Sequence, residues 1–159
     1  MRLVLSLLLM SFISISITPE AHALMLEKKA SKPSALAPSE LKTVEPSTTA
    51  AEFALKLAVG KRYVWGGNSD TDVDCSSFAQ QFMRGYKGIE ISRTTYDQVK
   101  EGTQVNNPAP GDLVFFNDFA HVGVYVGDGM MVDALNPEEG VGLRAVSYVH
   151  GKVDGYYRY

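Results

Sequence analysis

Asp74-Cys75-Ser76-Ser77-Phe78-Ala79-Gln80-Gln81-Phe82-Met83-Arg84-Gly85-Tyr86 is the most informative stretch of this 159-residue chain. Cys75, Phe78, Ala79, Phe82, Met83 and Tyr86 recur at three- and four-residue steps, the apolar stripe of an amphipathic helix. Gln80, Gln81 and Arg84 fall on the opposite side, and Gly85 or Gly88 closes the end. Asp74 is a favourable N-cap, which places Cys75 in the first turn. There the thiol meets the positive end of the helix dipole and unpaired backbone N–H groups, which favour the nucleophilic thiolate and could hold an oxyanion. A free cysteine is also a common buried small hydrophobe, so the helix alone leaves both readings open.

The flanking sequence supplies the rest of a domain. Thr49-Ala50-Ala51-Glu52 is a capping box, and a helix of about ten residues should follow it to Gly60, burying Phe53, Ala54, Leu57 and Ala58. A short third helix is expected from Thr94 to Lys100, after Ser92. Beyond Pro108 the period changes to two. Leu113–Phe116, His121–Val126, Met130–Ala134, Leu143–Ser147 and Val153–Tyr159 are short apolar or alternating runs separated by Gly, Asp, Asn and Pro. Helices first and antiparallel strands afterwards predict an α+β domain over residues 49–159, its N-terminal helices packed on an antiparallel sheet.

Composition agrees with one core. Hydrophobic residues make up 45% and charged residues 21% of the chain, a globular balance. All 14 glycines lie from Gly60 onward, and every aromatic residue except Phe12 lies from Phe53 onward. Residues 1–23 read as a signal peptide: Arg2, then an apolar run from Leu3 to Ile17 broken only by serines, then Ala21-His22-Ala23. The run is shorter than the roughly 20 residues that span a bilayer, and no cysteine follows it to carry a lipid. The expectation is an exported, periplasmic or secreted protein with no membrane anchor after cleavage. Residues 24–48 carry Pro33, Pro38 and Pro46, four lysines, no glycine and no aromatic residue, the composition of a flexible linker.

The net charge of −3 gives no basic surplus with which to bind nucleic acid. Residues 50–159 hold 10 basic and 14 acidic side chains, a net of −4, so recognition should come from a cleft and not from long-range attraction. A single cysteine excludes an intramolecular disulfide and a Cys-rich zinc cluster. In an oxidising compartment a lone thiol is a liability unless it is used. A thiolate nucleophile needs a base, and the exported chain offers His121 and His150. His121 opens His-Val-Gly-Val-Tyr-Val-Gly, where Val122, Val124 and Val126 point one way and His121, Gly123 and Tyr125 the other. That second face leaves room for a helix end or a substrate, whereas His150 lies in an expected loop beside Gly151 and Lys152.

Five segments then form a pattern: Tyr63-x-Trp65-Gly66-Gly67, Asp74-Cys75-Ser76-Ser77-Phe78, Arg93-Thr94-Thr95 with Gln98, Pro110-Gly111-Asp112-Leu113-Val114-Phe115-Phe116 and His121-Val122-Gly123-Val124-Tyr125-Val126-Gly127. In order and spacing they resemble the NlpC-type cell-wall cysteine peptidases, over the whole of residues 49–159. The resemblance implies a papain-like α+β fold and hydrolysis of amide bonds in peptidoglycan stem peptides, typically between D-Glu and a diamino acid. It implies no metal or organic cofactor, and a stem peptide as partner of a monomeric enzyme. Cys75 corresponds to the nucleophile and His121 to the base. The family's third polar residue, commonly a second histidine, corresponds to Asp133. Ser77 stands where glycine is usual and is expected to narrow the cleft or touch substrate. Tyr63 would assist the oxyanion or a substrate carbonyl. Asp74 and Ser76 resemble the pocket for polar groups of the stem peptide, although Asp74 also serves as a cap. Arg93 would pair either with a substrate carboxylate or with surface acids. Trp65 fits core or cleft wall. The alternative is a peptidoglycan-binding or adaptor module that keeps the fold without turnover.

Asp133 can orient His121 only if both side chains share a face of the hairpin. Strand parity then requires paired positions whose numbers add to an even total. A three-residue turn, Gly127-Asp128-Gly129, would meet this by pairing Val126 with Met130. A two-residue turn would put Asp133 on the wrong face.

Overall fold

The computed structural model describes residues 48–159. The predicted signal peptide and all but the last residue of the predicted linker lie outside the described residues. Helix α1, Ala50–Ala58, starts with the expected capping box between Thr49 and Glu52. Helix α2, Cys75–Phe82, starts at Asp74 and runs into one wider turn, Met83–Lys87, that Gly88 ends. Helix α3 spans Thr95–Glu101 with Thr94 as its cap. The predicted stripe on α2 is real: Phe78, Ala79, Phe82 and Met83 are buried, with the rings of Phe53 and Tyr86 packed edge-on or tilted against Phe82.

Two strands too short to show a period pair in parallel, β1 (Arg62–Tyr63) and β2 (Asp72–Val73). The main sheet contains β3 (Thr103–Val105), β4 (Leu113–Phe116), β5 (His121–Gly127), β6 (Met130–Ala134), β7 (Val141–Ala145) and β8 (Val153–Arg158), in the order β3-β8-β4-β5-β6-β7 and antiparallel throughout. Strand β7 begins two residues before the expected Leu143, and Val146–Tyr148 is a 3₁₀ turn instead of strand. One sheet face, with Leu113, Phe115, Val122, Val124, Val132 and Ala134, packs with the helices. The other carries Val114, Phe116 and Met131 under Val146 and Val149.

The β5–β6 hairpin corrects the expected turn. It is a two-residue turn, Asp128-Gly129, closed by Gly127 and Met130, with φ of +51° and +72° at the two central positions. Positive φ at both is the type I′ geometry that matches the twist of a hairpin. By simple parity this turn should separate Asp133 from His121. A β-bulge restores the register: Gly127 pairs with Met130, but Tyr125 pairs with Met131 and Val124 with Val132, so Val126 is the extra residue. Continued along the strands, that register sets Gly123 opposite Asp133 with His121 diagonal to it.

The space beside Gly123 is also not where a helix end or substrate sits. A Cβ there would lie 2.7 Å from Met131 Sδ and 3.3 Å from Asp133 Cβ. Gly123 is bare so that β6 can lay Met131 and Asp133 across it. Gly123→Ala is therefore expected to lower unfolding free energy in urea by about 1–3 kcal/mol, the usual cost of overpacking. Full wild-type stability in that variant would refute the close approach.

Candidate active site

Asp74 builds the Cys75 end of the site. Its Oδ1 accepts from Ser77 N (2.8 Å), and Asp74 N donates to Ser77 Oγ (3.0 Å), a reciprocal cap that fixes Cys75 at the first helical position. Ser77 is fully buried in that cap and lines neither lobe of the cleft around Cys75, contrary to its expected part in substrate contact. A hydroxyl three residues after the N-cap accepts from the cap's own N–H, which also donates to the Gly67 carbonyl at 3.3 Å. Arg93 finds its acid inside the protein. Nη1 and Nη2 donate to the two Asp74 oxygens at 3.0 and 2.7 Å, and further bonds reach Ser76 Oγ (2.6 Å) and the Gly67 carbonyl (3.1 Å). Burial alone would raise the Asp74 pKa, but the Arg93 fork and the cap bonds hold it below the ordinary carboxylate value. Gln98, wholly buried, donates to the carbonyls of Ser76 (2.9 Å) and Ser92 (2.8 Å) and so ties α3 to the same turn.

His121 follows the β4–β5 connection. Asn117, Asp118 and Phe119 run left-handed in succession, with φ of +55°, +57° and +63°. Three such residues in a row, none of them glycine, persist only where the surroundings hold them. Asn117 Nδ2 donates to the His150 carbonyl (3.0 Å), Lys152 N donates to Asn117 Oδ1 (2.8 Å), and Phe119 N donates to Asp154 Oδ2 (2.8 Å). His121 follows, opposite Phe116 in the sheet, its ring tilted on the Phe116 ring at 5.7 Å.

His121 Nε2 and Asp133 Oδ2 are 2.7 Å apart, with Asp133 completely buried. Nδ1 is thus the ring nitrogen left to exchange a proton with the adjacent Cys75. Burial pulls the His121 pKa down, but the Asp133 hydrogen bond and the neighbouring Cys75 outweigh it and push the value up to about 9. On β7, Arg144 Nε stands 2.6 Å from Asp133 Oδ1. This is an ion pair out of line for a hydrogen bond, since neither Oδ1 nor Nε has a hydrogen-bond partner.

The cleft has two lobes that meet at Cys75 and Trp65. One, about 610 Å³, is lined by Tyr63, His121, Glu139 and Tyr148 among others, and His150 reaches its edge. The other, about 430 Å³, is lined by Asp74, Ser76, Arg93 and Tyr96. Trp65 is 86% exposed, so it is cleft wall and not core. Tyr63 stands beside the thiol, and burial, with Cys75 and Asp74 nearby, raises its pKa above 10, keeping the hydroxyl protonated as a donor.

The sequence pattern that describes the NlpC/P60 family matches residues 60–155. This chain belongs to the NlpC/P60 family. It is 40% identical over 106 residues to the probable endopeptidase p60 of Listeria seeligeri, covering 62% of this chain and 19% of that protein. It is 40% identical over 80 residues to the murein DD-endopeptidase MepS/murein LD-carboxypeptidase of Escherichia coli K12, covering 47% and 43%. The chain spans about a fifth of the length of the first curated relatives it matches. The crystal structure of the NlpC/p60 domain of the peptidoglycan hydrolase SagA superposes with a TM-score of 0.61 at 28% identity, over 71% of this chain and 98% of that one. The α+β fold with an antiparallel sheet is the one expected.

Within this NlpC/P60 domain, Cys75, His121 and Asp133 come together, and Tyr63, Asp74, Ser76 and Arg93 line the cleft beside them. Sequence reasoning missed Arg144, whose only signal is one charge in the run Val141-Gly142-Leu143-Arg144-Ala145, and the left-handed turn before His121, which carries no glycine to mark it. Three outcomes are expected. Followed by NMR, the His121 ring should titrate near pH 9, and Asp133→Ala should bring it down toward the ordinary 6.5. Because the folded value is the raised one, its contribution to stability is complete below about pH 6.5 and is lost as pH rises through 9, a decline that His121→Gln should flatten in urea titrations. Ser77→Ala should cost about 1 kcal/mol of stability through the lost cap and leave KM unchanged; a change in KM would return Ser77 to the cleft.

Proposed function

We propose that this domain is an exported cysteine peptidase that hydrolyses amide bonds in peptidoglycan stem peptides, at the bond between D-Glu and the diamino acid. The observation that carries the reading is the buried Asp133–His121 contact beside a cysteine at a helix N-terminus, at the junction of two cleft lobes. The relatives' names, endopeptidase p60 and murein endopeptidase, support the substrate class. The apolar run after Arg2 supports export to the wall.

The Cys75 thiolate, paired with protonated His121, attacks the amide carbonyl carbon. Negative charge develops on the carbonyl oxygen. Asp74 already occupies the N–H groups of Ser77 and Phe78, so those of Cys75 and Ser76, with the Tyr63 hydroxyl, are the donors available to that oxygen. His121 passes its proton from nitrogen to the leaving amine, the C–N bond breaks, and a thioester to Cys75 remains. Water, deprotonated by His121, then attacks the thioester carbon; the acid leaves and the thiolate returns. Asp133 holds the imidazole in one orientation and stabilises its charged form through both half-reactions. No step calls for a metal or an organic cofactor, and one copy of the chain holds every group named.

Incubating the protein, with its signal removed, with purified peptidoglycan should release fragments bearing new amino groups, with glycan strands intact, and the products identified by mass should end at D-Glu. Cys75→Ala should release none. New reducing sugar ends without new amines would refute peptidase activity, and equal release by Cys75→Ala would remove the thiol from the mechanism.

A further inference from the structure

Asp133 is fully buried, and two cations share it. His121 takes Oδ2 at 2.7 Å, and Arg144 stands against Oδ1 at 2.6 Å with only 9% of its side chain exposed. The strand register places the three side chains on one face. On β6–β7 Met131 pairs with Arg144 and Asp133 with Gly142, so Arg144 is diagonal to Asp133 on the face they share, just as His121 is from the β5 side. Gly142, like Gly123, puts no side chain beside Asp133. The far side of Arg144 looks toward the cleft. Nη1 is 3.7 Å from Glu139 Oε2, and the guanidinium carbon lies 5.9 Å from the centre of the Tyr148 ring, while Tyr148 Oη donates to Glu139 Oε1 at 2.8 Å. Glu139 and Tyr148 both line the lobe that holds His121.

We propose that Arg144 is a positioning residue of the catalytic centre: by holding Oδ1 it fixes the rotation of the Asp133 carboxylate so that Oδ2 stays on His121, and it ties that carboxylate to the Glu139–Tyr148 wall of the cleft. This rests on the reading of Cys75, His121 and Asp133 as a catalytic triad. A carboxylate turns readily about its terminal torsion, which is broad and two-fold. With one cation on each oxygen, torsions that turn the carboxylate out of the plane joining them are disfavoured, and one oxygen is kept on His121. Without Arg144 nothing holds Oδ1, the His121 ring loses its fixed partner, and the thiolate–imidazolium pair weakens. The charged and titratable groups around that pair are Cys75 and Tyr63 on the helix side, Asp133 and Arg144 on the sheet side, and Glu139, Tyr148 and His150 along the cleft.

The test is a double-substitution cycle. Arg144→Met and Arg144→Lys are each made in the wild type and in Asp133→Asn, with folding checked by thermal melting. Two quantities are read: kcat and KM on a stem peptide, and the rate at which iodoacetamide alkylates Cys75 from pH 5 to 9. Because Arg144 acts through Asp133, Arg144→Met should lower kcat by about tenfold and slow alkylation below pH 7, with KM little changed, and should have almost no further effect in Asp133→Asn. Arg144→Lys keeps the charge at Oδ1 and should recover most of the loss; should Arg144→Met not fold, the smaller Arg144→Lys loss must likewise vanish in Asp133→Asn. The proposal is overturned if Arg144→Met leaves both quantities at wild-type levels, or if either substitution costs the same factor in both backgrounds. The alkylation rate separates this outcome from the fate of the triad reading. If no stem peptide is cut, the hydrolase reading fails while alkylation still reports on Arg144. If His121→Ala leaves alkylation unchanged, the triad itself fails.

Discussion

A carboxylate with no exposure to water needs partners inside the protein, and Asp133 has a cationic side chain at each of its oxygens. Leaving such a charge unpaired in a protein interior costs about 3–5 kcal/mol. The sheet meets the need from both sides. Strand β5 brings His121, strand β7 brings Arg144, and each lies diagonal to Asp133 on one face. The Val126 bulge is required because the Asp128-Gly129 turn alone would present β6 with the wrong face. The bare position at Gly123 lets Met131 and Asp133 lie across β5. Each of these features looks incidental when taken singly. Together they are what placing one charge requires.

The cysteine depends on a separate set of bonds with the same logic. Cys75 is held by the cap at Asp74, Asp74 by the fork of Arg93, and the turn that follows by Gln98. Here too a carboxylate is matched to an arginine, and its lowered pKa keeps it ionised as a cap across neutral pH. Helix and sheet are thus two stiff bodies, each with an internal ion pair, that bring a thiol and an imidazole to one cleft. Within the sheet, the left-handed turn at Asn117–Phe119 leads β4 into His121, and its strain is held by bonds to the β8 approach at His150, Lys152 and Asp154.

What could be read in advance was local. The capping box at Thr49, the α2 stripe, the N-terminal place of Cys75 and the alternation of β5 all follow from neighbours three or four residues apart, and the structure has them. The pairing of His121 with Asp133 was legible through strand parity and the family pattern, but the turn that was expected to bring it about was not the one found. A bulge adds one residue to one strand and leaves no compositional mark, so Val126 looks like any other valine in an alternating run. Arg144 was invisible for a related reason. Its partner lies on another strand, and nothing in Gly142-Leu143-Arg144-Ala145 tells a buried cation from an exposed one. Ser77 was misplaced because a small polar residue after Asp-Cys-Ser suits a cleft or a cap equally well, and only its burial separates the two.

The carboxylate at position 133 and the arginine at position 144 make sense as a pair. Where the family commonly carries a second histidine, the orienting group can be neutral, and a neutral ring in the core asks for a hydrogen-bond acceptor and no counter-charge. A carboxylate orients the first histidine more strongly and supports its charged form, in keeping with a pKa near 9 at His121. That advantage is useful only if the carboxylate keeps its charge and its direction. His121 alone cannot ensure this, because in the proposed mechanism it gives up its proton in every cycle and leaves Asp133 facing a neutral ring. A cation that never titrates in the working range removes the difficulty, and arginine is the side chain with that property. On this argument, the aspartate at position 133 draws its support from the guanidinium that β7 presents to the same face.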